Sequence, residues 1–316
     1  MRILITGGAG FIGSNFVRRA LDGTFKGFSR VTVLDNLTYA GNLANLPKDG
    51  FEFVQGDICD ENLVYSLVNK NDAVLNFAAE SHVDRSIIDP KNFMLTNMLG
   101  VQTLLNSVKN KADCKFLQIS TDEVYGSLQC GSANEYSPLE PNSPYAASKA
   151  AADLIVRSYF RTYGLNALVT RSSNNYGPYQ YPEKLIPLFV LNLIQGKKVP
   201  IYGNGKNIRD WIHVDDNCHA IYRVLMQGNA GEIYNIGGGN EFSNLEVAED
   251  ITRLMGFDNS KFAFVQDRAG HDFRYSVDAS KIKKELNFAP SINFASGLAE
   301  TIEWYKTNQS WWEQLS

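Results

Sequence analysis

The chain has 316 residues, of which 44% are hydrophobic and 20% charged, and its formal net charge is −4. This length allows one large domain or two ordinary ones, with a sizeable buried core. The charge provides no basic field that would favour nucleic acid or an acidic membrane surface, so neither is expected as a partner. No run approaches the roughly 18 apolar residues of a membrane span. The four scattered cysteines and the absence of a secretory pattern indicate a cytoplasmic protein with reduced thiols.

Short apolar runs alternate with helical patterns through the first half of the chain. Helical periodicity lies near 11–21, 60–70, 92–109 and 145–163. The runs between and before these helices are predicted as strands at 2–6, 31–34, 51–55, 73–77, 116–119 and 167–170. Continuous apolar strands that alternate with helices predict an α/β fold with a doubly wound, parallel (Rossmann) sheet.

The composition changes after Arg171, where turn formers and aromatic residues dominate. Further elements are predicted as helices near 184–195, 214–226, 244–255 and 294–307 and as strands near 199–202 and 232–236. The segment GNGKNIRDW, which contains Arg209, is predicted as a loop. We expect residues 1–171, joined by about 206–235, to form the Rossmann domain. About 172–205 and 236–316 are then expected to form a smaller, interwoven C-terminal lobe that binds the substrate.

A glycine turn directly follows the first predicted strand and opens the first predicted helix. Gly7, Gly10 and Gly13 satisfy G-x-x-G-x-x-G, and Gly8, Gly10 and Gly13 satisfy G-x-G-x-x-G. Such glycines let the backbone approach a pyrophosphate, whose charge the helix N-terminus stabilises. Asp35 ends the second predicted strand, where a carboxylate accepts hydrogen bonds from ribose hydroxyls and repels a 2′-phosphate. The pattern therefore predicts NAD, and not NADP, as the cofactor.

Two further strand ends support the same cofactor site. Asp57 and Ile58 follow the third predicted strand and suit the adenine edge. Ala78 and Ala79 follow the fourth, where small side chains leave room for a cofactor passing the edge of the sheet. Ligands of doubly wound sheets bind at these carboxyl ends, so the four residues are expected beside the glycine turn.

Tyr145 and Lys149, here called the redox pair, lie four residues apart in a predicted helix and so face the same way. The Lys149 cation, together with an oxidised nicotinamide, is expected to lower the phenol pKa of Tyr145 below its ordinary value of about 10. The phenolate then accepts a hydroxyl proton while hydride leaves the same carbon. Thr121 or Ser120 is expected to hydrogen-bond to that oxygen.

Asp122 and Glu123, here called the acid pair, follow the buried strand at 116–119. Two close carboxyl groups do not both ionise readily, so their titrations are expected to be coupled. One neutral and one charged acid is the state that a dehydration requires. The pair therefore predicts elimination chemistry, although the residues alone do not show which acid has which role.

Motifs along nearly the whole chain resemble the extended short-chain dehydrogenase/reductase family. The matching segments are TGGAGFIG at 6–13, DNLTYAGN at 35–42, YAASK at 145–149 and NNYGP at 174–178. Within that family the chain is similar to sugar-nucleotide 4,6-dehydratases that act on dTDP-glucose, through NFAAESHVDRSI at 76–87, STDEVYG at 120–126, YPEKLIP at 181–187, RDWIHVDD at 209–216 and DRAGHDFRY at 267–275. The acid pair is the most specific element, because the sugar-nucleotide epimerases that resemble the chain elsewhere lack it.

The resemblance implies a hydro-lyase that converts dTDP-glucose to dTDP-4-keto-6-deoxyglucose and water with a retained NAD. Tyr145 takes the proton of the 4-hydroxyl while hydride passes from carbon 4 to NAD. Glu123 then removes the proton on carbon 5, and protonated Asp122 protonates the departing 6-hydroxyl. Hydride returns to carbon 6 and a proton to carbon 5. The resemblance also implies a homodimer that pairs the helices near 92–109 and 145–163.

Binding residues are likewise implied by the resemblance, and no metal site is expected. Further residues on the cofactor side are Phe11, Ile12, Asn36, Leu37, Thr38, Glu80, Ser81, Thr96 and Asn175, beside the redox pair itself. Residues implied on the substrate side are Ser81, His82, Thr121, Asp122, Glu123, Asn174, Glu183, Lys184, Leu185, Pro200, Ile201, Tyr202, Arg209, Asn244, Asp267, Arg268 and His271. Arg209 matches the arginine that contacts the nucleotide diphosphate. The chain departs from the family pattern at Ala269, where proline is usual, and at Phe273, where a basic residue is common.

Three other functions remain open from the sequence. They are a 4-epimerase or decarboxylase of the same family, a 4,6-dehydratase for another nucleotide such as UDP-glucose, and a non-catalytic NAD-sensing protein on the same fold. The acid pair argues against an epimerase, which needs no elimination acid and base. A sensor has no need of the redox pair and the acid pair together.

Overall fold

The computed structural model describes residues 1–315. The strands are β1 (Arg2–Thr6), β2 (Arg30–Asp35), β3 (Glu52–Gln55), β4 (Ala73–Asn76), β5 (Lys115–Thr121), β6 (Ala167–Ser172), β7 (Asn174–Tyr176), β8 (Val199–Tyr202), β9 (Ile208–His213), β10 (Ile233–Ile236), β11 (Glu241–Ser243) and β12 (Phe262–Val265). The α-helices are α1 (Phe11–Leu21), α2 (Glu61–Val68), α3 (Val83–Ile88), α4 (Lys91–Met94), α5 (Val101–Lys109), α6 (Pro144–Tyr163), α7 (Leu185–Ile194), α8 (Val214–Gln227), α9 (Asn244–Leu254), α10 (Ser280–Leu286), α11 (Phe294–Thr307) and α12 (Gln309–Trp312). A π-helical turn, Leu95–Gly100, joins α4 to α5, and 3-10 turns occur at Leu43–Asn45, Asp122–Tyr125, Asn259–Lys261 and Glu313–Leu315.

Seven parallel strands form the main sheet in the order β10-β6-β5-β4-β1-β2-β3. The prediction of a doubly wound parallel sheet is therefore confirmed. The order reverses between β1 and β4, which is the switch point where such sheets bind ligands beyond their carboxyl ends. No helix within residues 1–315 is long and apolar enough to cross a membrane.

Successive side chains of β1 enter two different cores, because neighbouring residues of a strand point to opposite faces of the sheet. Ile5 packs with Phe16 of α1 on one face, in a cluster that α8 completes. Leu4 packs on the other face with Leu104 of α5, in a cluster that also contains residues of α2 and α6. All four side chains are fully buried. Truncation of such a residue, for example Leu104→Ala, costs roughly 2–5 kcal/mol of stability.

The second half of the chain adds two small sheets, β11-β9-β7 and β12-β8, around a third core. That core contains Tyr176 of β7, Trp211 of β9 and Phe294 of α11. β10 returns to the main sheet beside β6, whereas β7 and β9 lie in their own sheet. The limits expected for the two domains stay a prediction.

The structure corrects the prediction that Arg209 lies in a loop. Arg209 belongs to β9, which pairs with β7 on one side and with β11 on the other. The local sequence has no regular alternation, and the strand depends on these two distant partners. The elements α3, β7, β11, β12, α10 and α12 were not predicted, because each is short or has a polar pattern.

Candidate active site

The glycine turn after β1 is shaped by close contact with the end of β4. Gly7 has φ +66°, and a Cβ placed on it would lie 2.5 Å from the backbone nitrogen of Ala78. A Cβ on Gly13 would lie 2.3 Å from the carbonyl oxygen of Gly7. Gly7, Gly10 and Gly13 line the cleft, whereas Gly8 packs towards Val33. The residues of G-x-x-G-x-x-G therefore form the cradle, and a side chain at Gly7 or Gly13 would collide with the backbone and distort this turn.

Asp35 lies at the carboxyl end of β2 with both oxygens fixed by the backbone. Its Oδ2 accepts the N–H of Ala9 at 2.9 Å, and its Oδ1 accepts that of Leu37 at 2.8 Å. Burial raises the pKa of Asp35, and these two N–H groups oppose the rise. Each oxygen keeps lone pairs for further donors. A fixed carboxylate next to the glycine cradle fits the ribose hydroxyls of NAD and disfavours a 2′-phosphate.

One cleft at the carboxyl ends of the main sheet brings most of the expected residues together. The cofactor-side residues that line it are Gly7, Gly10, Phe11, Ile12, Gly13, Asp35, Asn36, Thr38, Asp57, Ile58, Ala78, Ala79, Glu80, Ser81, Thr96, Tyr145, Lys149 and Asn175. The substrate-side residues that line it are Ser81, Thr121, Asp122, Glu123, Asn174, Glu183 and Lys184. Leu37 lies outside this lining and contributes through its backbone N–H to Asp35.

The redox pair lies in the first turns of α6. Ser143 caps the helix by accepting the N–H of Ala146, and Pro144 occupies the first turn, where its missing N–H costs no helical hydrogen bond. Tyr145 and Lys149 are both buried. The Lys149 ammonium donates to the carbonyl oxygen of Ile119 at 2.6 Å, which holds it at the end of β5. Burial lowers the pKa of Lys149 to about 8.

The phenol of Tyr145 is held in its protonated form by the protein. Burial raises its pKa well above 10, the charges of Glu123 and Asp122 raise it further, and a hydrogen bond with Thr121 opposes the rise. The net effect of the protein groups is thus to raise this pKa, and the expectation that Lys149 and an oxidised nicotinamide together lower it stays a prediction. Lys149 is directed to a backbone carbonyl, and two carboxyl groups lie close to the phenol.

The acid pair begins the 3-10 turn that follows β5. Thr121 caps this turn by accepting the N–H of Glu123 at 3.3 Å, and its hydroxyl donates to Asp122 Oδ1 at 3.2 Å. Asp122 is buried, and its Oδ2 has no hydrogen-bond partner among residues 1–315. Burial raises the pKa of Asp122 well above its ordinary value, and the charge of Glu123 raises it further. Burial also raises the pKa of Glu123, but Arg268, Arg209 and Lys184 oppose that rise.

The two acids are therefore unequal. The pKa of Asp122 is raised by burial and by the charge of Glu123, whereas three cations oppose the rise at Glu123. This difference favours the state of one neutral and one charged carboxyl group that the sequence predicts for a dehydration.

A buried ion pair that the sequence reasoning missed connects the acid pair to the redox pair. Arg171 of β6 donates to Asp153 Oδ2 at 2.8 Å and to the hydroxyl of Tyr125 at 2.9 Å. The Tyr125 hydroxyl donates in turn to Asn235 at 2.7 Å. Asp153 lies two helical turns beyond Tyr145 on α6, and Tyr125 ends the turn that carries the acid pair. Arg171 thus fixes the helix of one pair relative to the turn of the other.

The other residues expected on the substrate side, at the nucleotide end and at the junction of the two ligands, lie outside the cleft lining. They are His82, Leu185, Pro200, Ile201, Tyr202, Arg209, Asn244, Asp267, Arg268 and His271. His271 Nδ1 lies 2.6 Å from Asp267 Oδ1, and its ring lies edge-on to that of Tyr202 with centroids 6.3 Å apart. Arg268 is within 3.6 Å of Asp84. Ile201 is buried in the core of the second half and presents no side chain to a ligand.

Arg209 is nearly buried and has several protein partners. Its guanidinium donates to the carbonyl oxygens of Ile208 at 2.7 Å and Asp272 at 2.9 Å. It also lies over the ring of Tyr275, at 4.2 Å from the centroid. These contacts hold the segment 272–275 against β9, and they use several of the N–H groups expected for a diphosphate. Contact of Arg209 with substrate phosphate stays a prediction.

Several cleft residues were not predicted individually, and three of them lie in or beside segments whose motifs were recognised. Tyr39, Gln180 and Tyr181 line the cleft, and the rings of Tyr39 and Tyr181 meet edge-on with centroids 5.6 Å apart. The only signal in the sequence is their position in the segments 35–42 and 178–187, where aromatic residues follow turn formers. Within residues 1–315, no group of three or more His, Cys, Asp or Glu side chains could hold a metal ion.

A Rossmann sheet with an NAD-shaped cradle, a Tyr-x-x-x-Lys pair and a neighbouring acid pair defines an NAD-dependent enzyme of the short-chain dehydrogenase/reductase type. The family profile described as GDP-mannose 4,6 dehydratase matches residues 4–301. The dTDP-glucose 4,6-dehydratase of Streptomyces niveus is 55% identical over 321 residues, which cover 100% of this chain and 96% of that one.

The chain is also similar to solved structures of enzymes that act on nucleotide sugars. The dTDP-glucose 4,6-dehydratase of Streptomyces venezuelae, with NAD and dTDP bound, has a TM-score of 0.99 and 54% identity over 100% of both chains. The UDP-glucose 4-epimerase of Thermotoga maritima, with UDP-glucose, has a TM-score of 0.91 and 29% identity over 98% of this chain and 100% of that one. The chain belongs to the extended short-chain dehydrogenase/reductase family, among its sugar-nucleotide 4,6-dehydratases.

Proposed function

We propose that this protein converts dTDP-glucose to dTDP-4-keto-6-deoxyglucose and water, with NAD as its cofactor. The observation that carries the proposal is the unequal acid pair, Asp122 and Glu123, in the same cleft as Tyr145 and Lys149. Relatives named dTDP-glucose 4,6-dehydratase that match nearly the whole chain at about half identity support the choice of nucleotide. An epimerase that shares the fold has no use for an elimination acid and base.

The redox pair carries out the first step, the oxidation at carbon 4. Bound NAD supplies the acceptor for the hydride of carbon 4 and later the donor for carbon 6. Tyr145 takes the proton of the sugar 4-hydroxyl, and Thr121, which hydrogen-bonds to Tyr145, orients that oxygen. Lys149, fixed by the carbonyl of Ile119, adds positive charge at the base of the cleft. The positive charge of the oxidised nicotinamide is required in addition, because the protein alone keeps the phenol protonated.

The second task falls to the acid pair. The ketone at carbon 4 acidifies the proton on carbon 5, and Glu123 removes it, because nearby Arg268 and Arg209 favour the charged form of this carboxyl. Asp122 protonates the departing 6-hydroxyl, because burial raises its pKa and so favours its neutral form. The proton that Glu123 has taken is then available for return to carbon 5.

We assign the two groups of cleft residues to the two ligands. The cradle of Gly7, Gly10 and Gly13, with Asp35, binds the pyrophosphate and ribose of NAD, and the other cofactor-side residues line the rest of its path. Lys184, whose ammonium donates to the carbonyl oxygen of Ser81 at 2.8 Å, lies where the cofactor and sugar sites meet. The cluster around Arg268 and His271 is assigned to the nucleotide end of the substrate.

The decisive experiment is turnover without added cofactor. Purified protein is incubated with dTDP-glucose or UDP-glucose, and the product is identified by mass and by its keto group. We expect a product that has lost one water from dTDP-glucose, at a higher kcat/KM than from UDP-glucose. A preference for UDP-glucose would overturn the choice of nucleotide, and a 4-epimer without loss of water would overturn the dehydratase. The double variant Asp122→Asn/Glu123→Gln is the control, and it should bind NAD without forming this product.

We further propose that the protein is a homodimer that pairs the α5 and α6 regions. Leu95, Leu99, Leu154 and Tyr163 are large apolar side chains that are 39–53% exposed on these two neighbouring helical segments. Such a patch favours a protein contact. Light scattering should find a dimer, and Leu99→Glu should weaken it. Leu254→Glu, at a comparably exposed site on α9, is the matched control and should leave the dimer unchanged.

A cytoplasmic location is proposed on the state of the cysteines. All four are free thiols, and two of them, Cys114 and Cys218, are buried. Free thiols are typical of reducing compartments. Fractionation of source cells should recover the protein with cytoplasmic markers.

A further inference from the structure

The helix α12 contacts the cofactor-binding part of the Rossmann sheet through one buried hydrogen bond. The indole Nε1 of Trp311 donates to Asn45 Oδ1 at 2.8 Å. Asn45 ends the 3-10 turn Leu43–Asn45, which follows the loop after Asp35. Both side chains are buried, and Asn45 is only 2% exposed. A lost donor at such a site leaves the Asn45 oxygen without a partner in a place that water does not easily reach.

The contact continues from Asn45 to the carboxylate at the ribose position. Asn45 Nδ2 donates to the carbonyl oxygen of Ala9 at 2.8 Å, and the N–H of Ala9 donates to Asp35 Oδ2 at 2.9 Å. Ala9 lies inside the glycine cradle and is fully buried. The four residues thus form one hydrogen-bonded chain from α12 to Asp35, here called the indole relay (Trp311, Asn45, Ala9, Asp35).

A second contact, made by α11, reaches another part of the cleft lining. The hydroxyl of Tyr305 in α11 donates to the carbonyl oxygen of Gln180 at 2.5 Å. Gln180 Nε2 donates to the carbonyl oxygen of Asn175 at 2.9 Å. Gln180 and Asn175 both line the cleft. Trp312 Nε1 donates to the carbonyl oxygen of Tyr305 at 2.9 Å, so α12 and α11 are tied to each other.

We propose that α11 and α12 brace the NAD cleft from outside and that Trp311 is a positioning residue that slows release of the cofactor. Trp311 acts through Asn45 and Ala9 on the turn that contacts pyrophosphate and ribose, and Tyr305 acts through Gln180 on Asn175. A turn that is already ordered loses less conformational entropy when it binds its ligand. An enzyme that returns hydride to the same sugar in each turnover gains from a cofactor that stays in place. The brace acts on NAD whichever nucleotide sugar the cleft accepts.

The test removes the indole donor and keeps an aromatic ring. Trp311→Phe deletes the first link of the relay, and we expect NADH to leave on the order of tenfold faster than from the unchanged protein. Release is followed by NADH fluorescence during a chase with excess NAD. The value of kcat at saturating NAD should change less than about twofold, because Trp311 is outside the cleft lining. A loss of kcat with unchanged release would contradict the proposal.

Trp304→Phe is the matched control. Trp304 packs on Trp311 and on Tyr179, with ring centroids 5.0 Å and 4.6 Å apart, but lies outside the relay. An equal acceleration of NADH release in this variant would show that aromatic packing, and not the relay, retains the cofactor, and the proposal would be overturned.

Asn45→Ala interrupts the same relay at its second link and leaves both helices intact. We expect it to speed release at least as much as Trp311→Phe, and the double variant to add little, because both changes break one chain. If the double variant releases NADH faster by the full product of the two single effects, the two residues act independently and the relay is refuted. If Trp311→Phe fails to fold, Asn45→Ala decides alone, and unchanged NADH release from it would refute the proposal. Product formation from dTDP-glucose with excess NAD is measured separately, so failure of the brace and failure of the proposed activity give different results.

Discussion

The acid pair and the redox pair share one cleft, but burial has opposite consequences for their proposed roles. Burial raises the pKa of Asp122, which retains the proton that an elimination acid must donate. Burial also raises the pKa of Tyr145, which retains a proton that a base must lose. The protein alone therefore prepares the acid pair, whereas the redox pair needs the positive charge that the oxidised cofactor brings.

Lys149 explains why the protein does not activate Tyr145 by itself. Its ammonium donates to the carbonyl oxygen of Ile119, and burial lowers its own pKa to about 8. Near that pH it is only partly charged. The difference between the pairs makes chemical sense, because a phenolate that forms only beside bound NAD restricts the base to complexes that can accept a hydride.

The largest effect is expected from Tyr145→Phe, which removes the proposed base. The rate of carbon-4 oxidation should fall by roughly 10³–10⁴, within the range for loss of a general base and its positioning. Single-turnover absorbance of NADH after mixing with dTDP-glucose measures this step. Bound NAD, counted after denaturation, should match the unchanged protein. Oxidation at the normal rate in this variant would exclude Tyr145 as the base.

The acid pair should show the opposite kinetic pattern. Glu123→Gln and Asp122→Asn should both allow oxidation at carbon 4 and slow the loss of water by roughly 10²–10³, so that NADH accumulates. The two roles separate in deuterium oxide. Asp122→Asn should still exchange the carbon-5 proton, because Glu123 remains, whereas Glu123→Gln should not. The reverse pattern would interchange the two roles, and a loss of oxidation alone in both variants would contradict the division between the pairs.

Local patterns explain why part of this site could be predicted from the sequence. The turn at Gly13 and the strand end at Asp35 depend on neighbours within one βαβ unit, and the spacing of Tyr145 and Lys149 depends on one helix. The contact of Gly7 with Ala78, at the end of β4, is not visible in that unit. The partners of Arg209 could not be predicted in this way, since its contact at Asp272 lies 63 residues further along the chain. Its strand exists only because β7 and β11 flank it.

The pKa shift of Tyr145 and the contact of α12 with the glycine cradle also depend on residues that are distant in the sequence. The sequence indicates that Lys149 is close to Tyr145, but the sign of the net effect on the phenol depends on burial and on both carboxyl groups. The hydrogen bond from Trp311 to Asn45 joins positions 266 residues apart, and no local pattern predicts it.

The next largest effect, on stability, is expected at Arg171, because this residue connects the helix of the redox pair to the turn of the acid pair. Arg171→Met leaves Asp153 as an unpaired buried charge, and the free energy of unfolding should fall by roughly 3–5 kcal/mol. Urea unfolding measures the loss. The double variant Arg171→Met/Asp153→Leu should recover much of it, since no charge is then left without a partner. Arg2→Met, which breaks the exposed pair with Asp72, is the control and should leave the urea midpoint nearly unchanged.

The smallest expected effect is a gain of stability from Asp122→Asn, and its sign follows from the raised pKa of Asp122. Below about pH 4, the ordinary range of an aspartic acid, this side chain is protonated in both the folded and the unfolded chain. As the pH rises the unfolded chain ionises first, so the folded state loses stability until its own raised pKa is passed. Asparagine has no such loss, so the free energy of unfolding of the variant should exceed that of the unchanged protein at pH 8, with a smaller difference at pH 5. Urea unfolding without NAD at the two pH values measures the difference. Glu123→Gln should gain less, because the nearby cations already favour the charged form of Glu123. An equal gain in both variants would mean that the protein does not distinguish the two acids before the substrate binds.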